Sequence, residues 1–143
     1  NKGEPPRSVV ARFLLPRTPA LEAPGESGRI VTPRAALQGM LSMFAEAGLS
    51  PSLVLQFWGE AMVEPGLHDE MLRTAARLRG SLTLAIGPWA RTQAGDEAHS
   101  ATLAAETARS IVALAQGYIA NSAVFGPREV DEYLESAAAV LAS

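Results

Sequence analysis

Cysteine is absent from the 143 residues, which rules out disulfides and any Cys-ligated zinc site. No apolar stretch approaches the roughly 18 residues needed to cross a bilayer, and the opening residues lack a secretory signal pattern. A cytoplasmic protein without a membrane partner is therefore expected. Strong charge of one sign is missing too: 12 Lys and Arg against 15 Asp and Glu leave a formal −3, with the arginines spread along the chain. That balance gives no global attraction to phosphate backbones, so this chain is not expected to grip nucleic acid itself. Histidine is scarce, and neither His68 nor His99 stands in an HExxH or His-x-x-Glu spacing. Gly25-Glu26-Ser27-Gly28 has no lysine after it and is too short for a phosphate loop, and no Gly-x-Ser-x-Gly elbow occurs. No catalytic residues, no metal and no cofactor are expected, and the chain reads as a non-enzyme.

What is present is helix-forming. The apolar fraction is 48%, mostly Ala and Leu, while Val, Ile, Thr and the aromatics are scattered and never alternate as in strands. An all-α fold follows, in one domain over residues 1–143.

Helix punctuation then divides the chain. Residues 1–6, with Pro5 and Pro6, look like a helix entry, and Val9, Val10, Phe13 and Leu14 form a stripe that Pro16 ends. Residues 16–32 are rich in Pro, Gly, Glu and Ser without periodicity, and read as a mobile loop. Thr32-Pro33 and Ser50-Pro51 each pair a capping hydroxyl with a proline at the first helical position. The helix over about 51–63 carries Leu53, Val54, Leu55, Phe57, Trp58, Ala61 and Met62 in almost every direction, the mark of a central element buried all round. Leu67, Met71, Ala75, Leu78, Leu82, Ile86 and Trp89 recur at helical steps, with Gly87-Pro88 expected to kink or break that helix. A long alanine-rich helix at about 100–124 and a short last one after Gly126-Pro127 complete a six-helix bundle.

Three groups of residues invite a functional reading. Glu60 and Glu64 stand one turn apart on a greasy helix, where burial of one could tune it for acid–base work. Glu64 reads more plainly as a solvent-facing helix end, whereas Glu60, among Phe57, Trp58 and Ala61, is expected to be buried, either orienting a ligand or pairing with an arginine on an adjacent helix. Met40, Met43, Phe44, Phe57, Trp58, Met62, Met71 and Trp89 lie on three successive helices, as either a filled core or a cavity. The last two helices are dense in small residues, so they are expected to meet a symmetry mate in a dimeric four-helix bundle. The interface would be built from Ala104, Ala108, Ile111, Ala115, Ile119, Val130, Leu134, Ala138 and Leu141.

Phe57-Trp58-Gly59-Glu60-Ala61-Met62-Val63-Glu64-Pro65-Gly66-Leu67 resembles a segment common in TetR-family transcriptional regulators, and Arg73-Thr74-Ala75-Ala76-Arg77-Leu78 resembles the pattern that follows it there. Asn1-Lys2-Gly3-Glu4 is similar to the start of the family's linking helix, and Gly126-Pro127-Arg128-Glu129 to its closing helix junction. Pro5-Pro6 and the Pro- and Gly-rich stretch up to Thr32 depart from the family pattern. The resemblance implies the effector-binding and dimerisation half of a bacterial regulator, expected to be a repressor. Operator DNA would be bound only through a helix-turn-helix head preceding Asn1. It implies a homodimer and a small hydrophobic effector held by Met43, Phe44, Phe57, Trp58, Met62, Leu78, Leu82, Trp89 and Tyr118, with Gln56, Glu60 and Asn121 orienting it. A helical protein-interaction module without a pocket is the competing expectation, and a cofactor-free enzyme using Glu60 and Glu64 ranks last.

Overall fold

Hydroxyl and carboxylate caps open most of the helices in the structure, a computed structural model that describes residues 9–141, with side chains from residue 11 onward. The entry read at residues 1–6 lies outside the described residues. Thr32 Oγ1 accepts from the Ala35 amide and Ser50 Oγ from the Leu53 amide, both at 3.2 Å, starting α3 (Pro33–Glu46) and α4 (Pro51–Ala61). Glu64 closes both carboxylate oxygens on the Gly66 and Leu67 amides to start α5 (Pro65–Gln93). Asp96 accepts from the His99 amide at 2.8 Å to start α6 (Glu97–Phe125). Gly126, at φ +96°, takes a conformation that only glycine adopts freely and turns the chain out of α6. α1 (Val9–Leu14) and α7 (Val130–Ala138) complete the six expected helices, and the described residues contain no strand.

A seventh helix occupies the stretch read as a loop. After a 3-10 turn at Leu15–Arg17, α2 runs from Thr18 to Glu26. Its prolines conceal it from a periodicity argument, but Pro19 falls in the first turn, where its missing N–H would be unbonded anyway. What holds α2 is tertiary. Arg77 Nη2 donates to Thr18 Oγ1, the Ser81 hydroxyl donates to the Glu22 carboxylate, and Gly25 rests on the backbone at Leu84. Each pair is separated by the same 59 positions, so α2 lies parallel to α5 and in register with it.

Pro88 does not break α5, which runs on past it to Gln93. A proline there leaves the carbonyl four residues earlier, that of Leu84, without its helical N–H. The hydrogen of Gly25 that a side chain would replace points at this same oxygen: a Cβ built there would stand 2.2 Å from Leu84 O. A weak Cα–H donor thus faces the carbonyl that Pro88 frees.

α5 and α6 are each 29 residues long, about 43 Å, and form an antiparallel hairpin through the middle of the bundle. Leu78, Leu82, Ile86 and Trp89 of α5 bury against Ala104, Ala108, Ile111 and Ala115 of α6, the alanines letting the helices approach closely. The central element is therefore α6, which packs on α3, α4 and α5, and not the helix at 51–63. α4 is one-sided: Val54, Phe57 and Ala61 face inward while Leu53, Gln56 and Glu60 face solvent.

The closing helices also differ from expectation. α7 packs chiefly on α3, and Tyr133 ties it to α6 by donating its hydroxyl to Leu114 O across Gly117. Of the residues expected at a dimer interface, Ala104, Ala108, Ile111, Ala115, Ile119, Leu134 and Leu141 are already buried within the single chain, and Val130 and Ala138 are half-buried. The bundle's own core takes this stripe because its residues are the ones facing α3, α4 and α5.

Candidate functional site

Between α3, α4, α5 and α6, with the end of α1 above them, the helices leave a cavity of about 270 Å³. Size places it near the lower end of small-molecule sites. Its aromatic wall comes from Phe44 on α3 and from Phe57 and Trp58 on α4, adjacent in sequence yet both reaching the space. Met40 and Met71 supply flexible sulfur-bearing side chains, and Val54, Leu72, Ala75 and Leu78 continue the apolar lining. Val112, Ala115 and Ile119 close it from α6, and Leu14 closes it from α1.

Two polar side chains interrupt this surface. Thr74, on α5, is only 7% exposed, and Gln116, on α6, is exposed to solvent. No ionisable side chain among the described residues lines the cavity.

Of the twelve residues expected to hold a ligand, the fold brings Phe44, Phe57, Trp58 and Leu78 together around this space. Met43, Leu82 and Trp89 are buried elsewhere in the core. Met62 lies at the end of α4 with 76% of its surface in solvent, and Gln56 and Glu60 are on the solvent face of the same helix. Asn121 is exposed and donates to the Gly117 carbonyl in its own helix. Tyr118 is half-buried, donates to Arg128 O at 2.9 Å and meets the Tyr133 ring edge-on, centroids 5.0 Å apart. Sequence reasoning did not propose Leu14, Val54, Thr74, Ala75, Val112 or Gln116 for the site. The helical step from Leu78 back to Ala75, Thr74 and Met71 was available as a signal, since these share one face of α5.

Outside the cavity, several polar groups are engaged structurally. Both oxygens of the exposed Glu64 accept from backbone amides at the start of α5, and Glu60 stands on the solvent face of α4. The Asp96 carboxyl is held below its ordinary range by the His99 amide and then by the His99 ring, whose Nδ1 lies 2.6 Å away. Burial pushes the Tyr133 hydroxyl up, only partly countered by the Arg128 guanidinium, which sits 5.4 Å from the ring centroid. Among the described residues no three His, Cys, Asp or Glu side chains converge as metal ligands, and no helix is long and apolar enough to cross a membrane.

Fold and cavity together define a class: an all-helical domain with a small, partly open and almost wholly apolar space between its helices. The chain matches no protein-family model, no curated protein and no solved structure.

Proposed function

We propose that this chain is the effector-sensing and dimerisation domain of a TetR-type transcriptional regulator, a repressor of the bacterial cytoplasm. Its small hydrophobic effector occupies the cavity. The observation that carries this reading is that Phe57, Trp58 and Leu78, all from the segment that resembles the family, converge on one apolar space. Occupancy shifts the population between two arrangements of a homodimer, and a DNA-reading domain outside this chain responds.

Since the expected interface stripe is used within the chain, the proposed dimer uses the opposite face of α6. There Ala101, Ala105 and Ala113 are exposed and small enough for close approach of a second helix. Sedimentation should give a dimer for the natural chain and a monomer for Ala105→Arg, which would bury an unpaired charge at the contact. A monomeric natural chain rejects the dimer.

The cavity is tested by tryptophan emission. Trp58 lines it and Trp89 does not, so a Trp89→Phe chain keeps a single reporter at the site. Titration with neutral aromatic compounds should change that emission and raise the melting temperature. The competing reading, a helical interaction module, draws on exposed apolar side chains such as Phe125, 82% open to solvent. An unresponsive Trp58 across a broad panel would favour it.

A further inference from the structure

Thr74 is an oddity in its place. It stands in the middle turns of α5, in the wall of the apolar cavity, with 93% of its surface covered. A threonine in a helix ordinarily turns its hydroxyl back onto the carbonyl four residues earlier, as Thr83 does with Arg79 O at 2.8 Å. Thr74 makes no such bond, and none to any other described residue. Thr74 lines the cavity, so with Gln116 it is one of the two polar side chains that a ligand held there would meet. A ligand that displaces water from this hydroxyl without replacing its bond leaves it unpaired among apolar groups, at a cost of about 1–3 kcal/mol, so a ligand that pairs with it is favoured.

The rest of the wall says what that partner is not. With no ionisable side chain among the described lining residues, a charged ligand would be desolvated without compensation. Three aromatic rings and two methionines favour a flat, polarisable body. We infer that the cavity takes an uncharged aromatic compound carrying one hydrogen-bonding oxygen, which pairs with the Thr74 hydroxyl. This rests on the effector-binding reading above and narrows the ligand class.

The test uses three probes of one shape: naphthalene, 2-naphthol and 2-naphthoate, titrated at pH 7 by calorimetry into the natural chain, Thr74→Val and Thr74→Ser. In the natural chain 2-naphthol should bind about 2- to 12-fold tighter than naphthalene, the range set by one net hydrogen bond. 2-Naphthoate should bind at least tenfold more weakly than either. Thr74→Val, nearly the same shape, should abolish the preference for the hydroxyl without weakening naphthalene, and Thr74→Ser should restore it. Circular dichroism confirms that each variant is folded; if Thr74→Val does not fold, the naphthol and naphthoate comparison in the natural and Thr74→Ser chains decides. Equal binding of 2-naphthol and naphthalene, or binding of 2-naphthoate as tight as 2-naphthol, overturns this inference while leaving the cavity a binding site. Failure of all three probes overturns the effector-binding reading with it.

Discussion

Replacing Gly25 with alanine tests the seam between α2 and α5. A methyl group there would lie 2.2 Å from Leu84 O, 2.8 Å from Ala85 Cα and 2.9 Å from Leu84 C. All three are backbone atoms of a long helix, so none can swing aside. To restore ordinary contact α2 must retreat by about 1 Å, a gap that forfeits a quarter to a half of each dispersion contact along the seam. The same retreat stretches the Ser81–Glu22 and Arg77–Thr18 hydrogen bonds, each worth about 1 kcal/mol. Overpacking of this kind costs about 1–3 kcal/mol, and the two weakened bonds add to it. Alanine's better helix propensity returns about 1 kcal/mol. A net loss of about 2 kcal/mol follows. Gly80→Ala is the control, because Gly80 sits in α5 with open space where its Cβ would be. There the propensity term acts alone and should stabilise by about 1 kcal/mol. Urea denaturation followed by circular dichroism measures both, and in melting temperature the two variants should stand about 9 °C apart, at about 3 °C per kcal/mol. A Gly25→Ala chain as stable as the natural one would refute the close approach of α2 to α5.

Tyr133→Phe should cost about 1 kcal/mol by leaving Leu114 O with one acceptor bond fewer, read from the same denaturation curves. The Tyr133 hydroxyl ionises above its ordinary 10.0, so its contribution is intact below pH 10 and is lost as pH rises through the raised value. Phenolate absorbance of the native chain should show a late-titrating tyrosine that Tyr133→Phe removes; a Tyr133 that ionises early contradicts the burial. Asp96 behaves in the opposite sense: its lowered value adds stability above the ordinary 3.8, lost as pH falls through the depressed one. Asp96→Ala should therefore weaken the chain near neutrality and flatten its acid-side profile, whereas an unchanged profile would show that the cap at α6 contributes nothing.

Most of the architecture could be read from local chemistry. Thr32-Pro33 and Ser50-Pro51 mark helix starts because cap and proline both act within four residues. The stripe through Leu78, Leu82, Ile86 and Trp89 marks a buried face for the same local reason. α2 was illegible because its stability comes from residues 59 positions away, while its own composition argues for a loop. The unbroken path of α5 through Pro88 was hidden likewise, since the freed carbonyl faces Gly25 of another helix. In the site, Phe44, Phe57, Trp58 and Leu78 were found from residue type and resemblance. Glu60 lies in solvent although Phe57, Trp58 and Ala61 flank it, because neighbours in the sequence of a helix do not share its face. The alanine stripe of α6 faces inward, which composition alone could not show, since it does not tell an interior seam from an exterior one.

The parallel register of α2 on α5 has a kinetic consequence. Its anchors span a long stretch of chain and are mostly polar, with Thr18 as the buried residue of the helix, so α2 should undock as a unit well before the bundle unfolds. Native-state amide exchange should find the α2 hydrogens released early and those around Leu82 and Ile111 last. Each departure of α2 hands the Leu84 carbonyl to water, and a helix that loses its splint beside a proline bends there. The bend at Pro88 should therefore grow each time this nine-residue helix leaves its seam with α5.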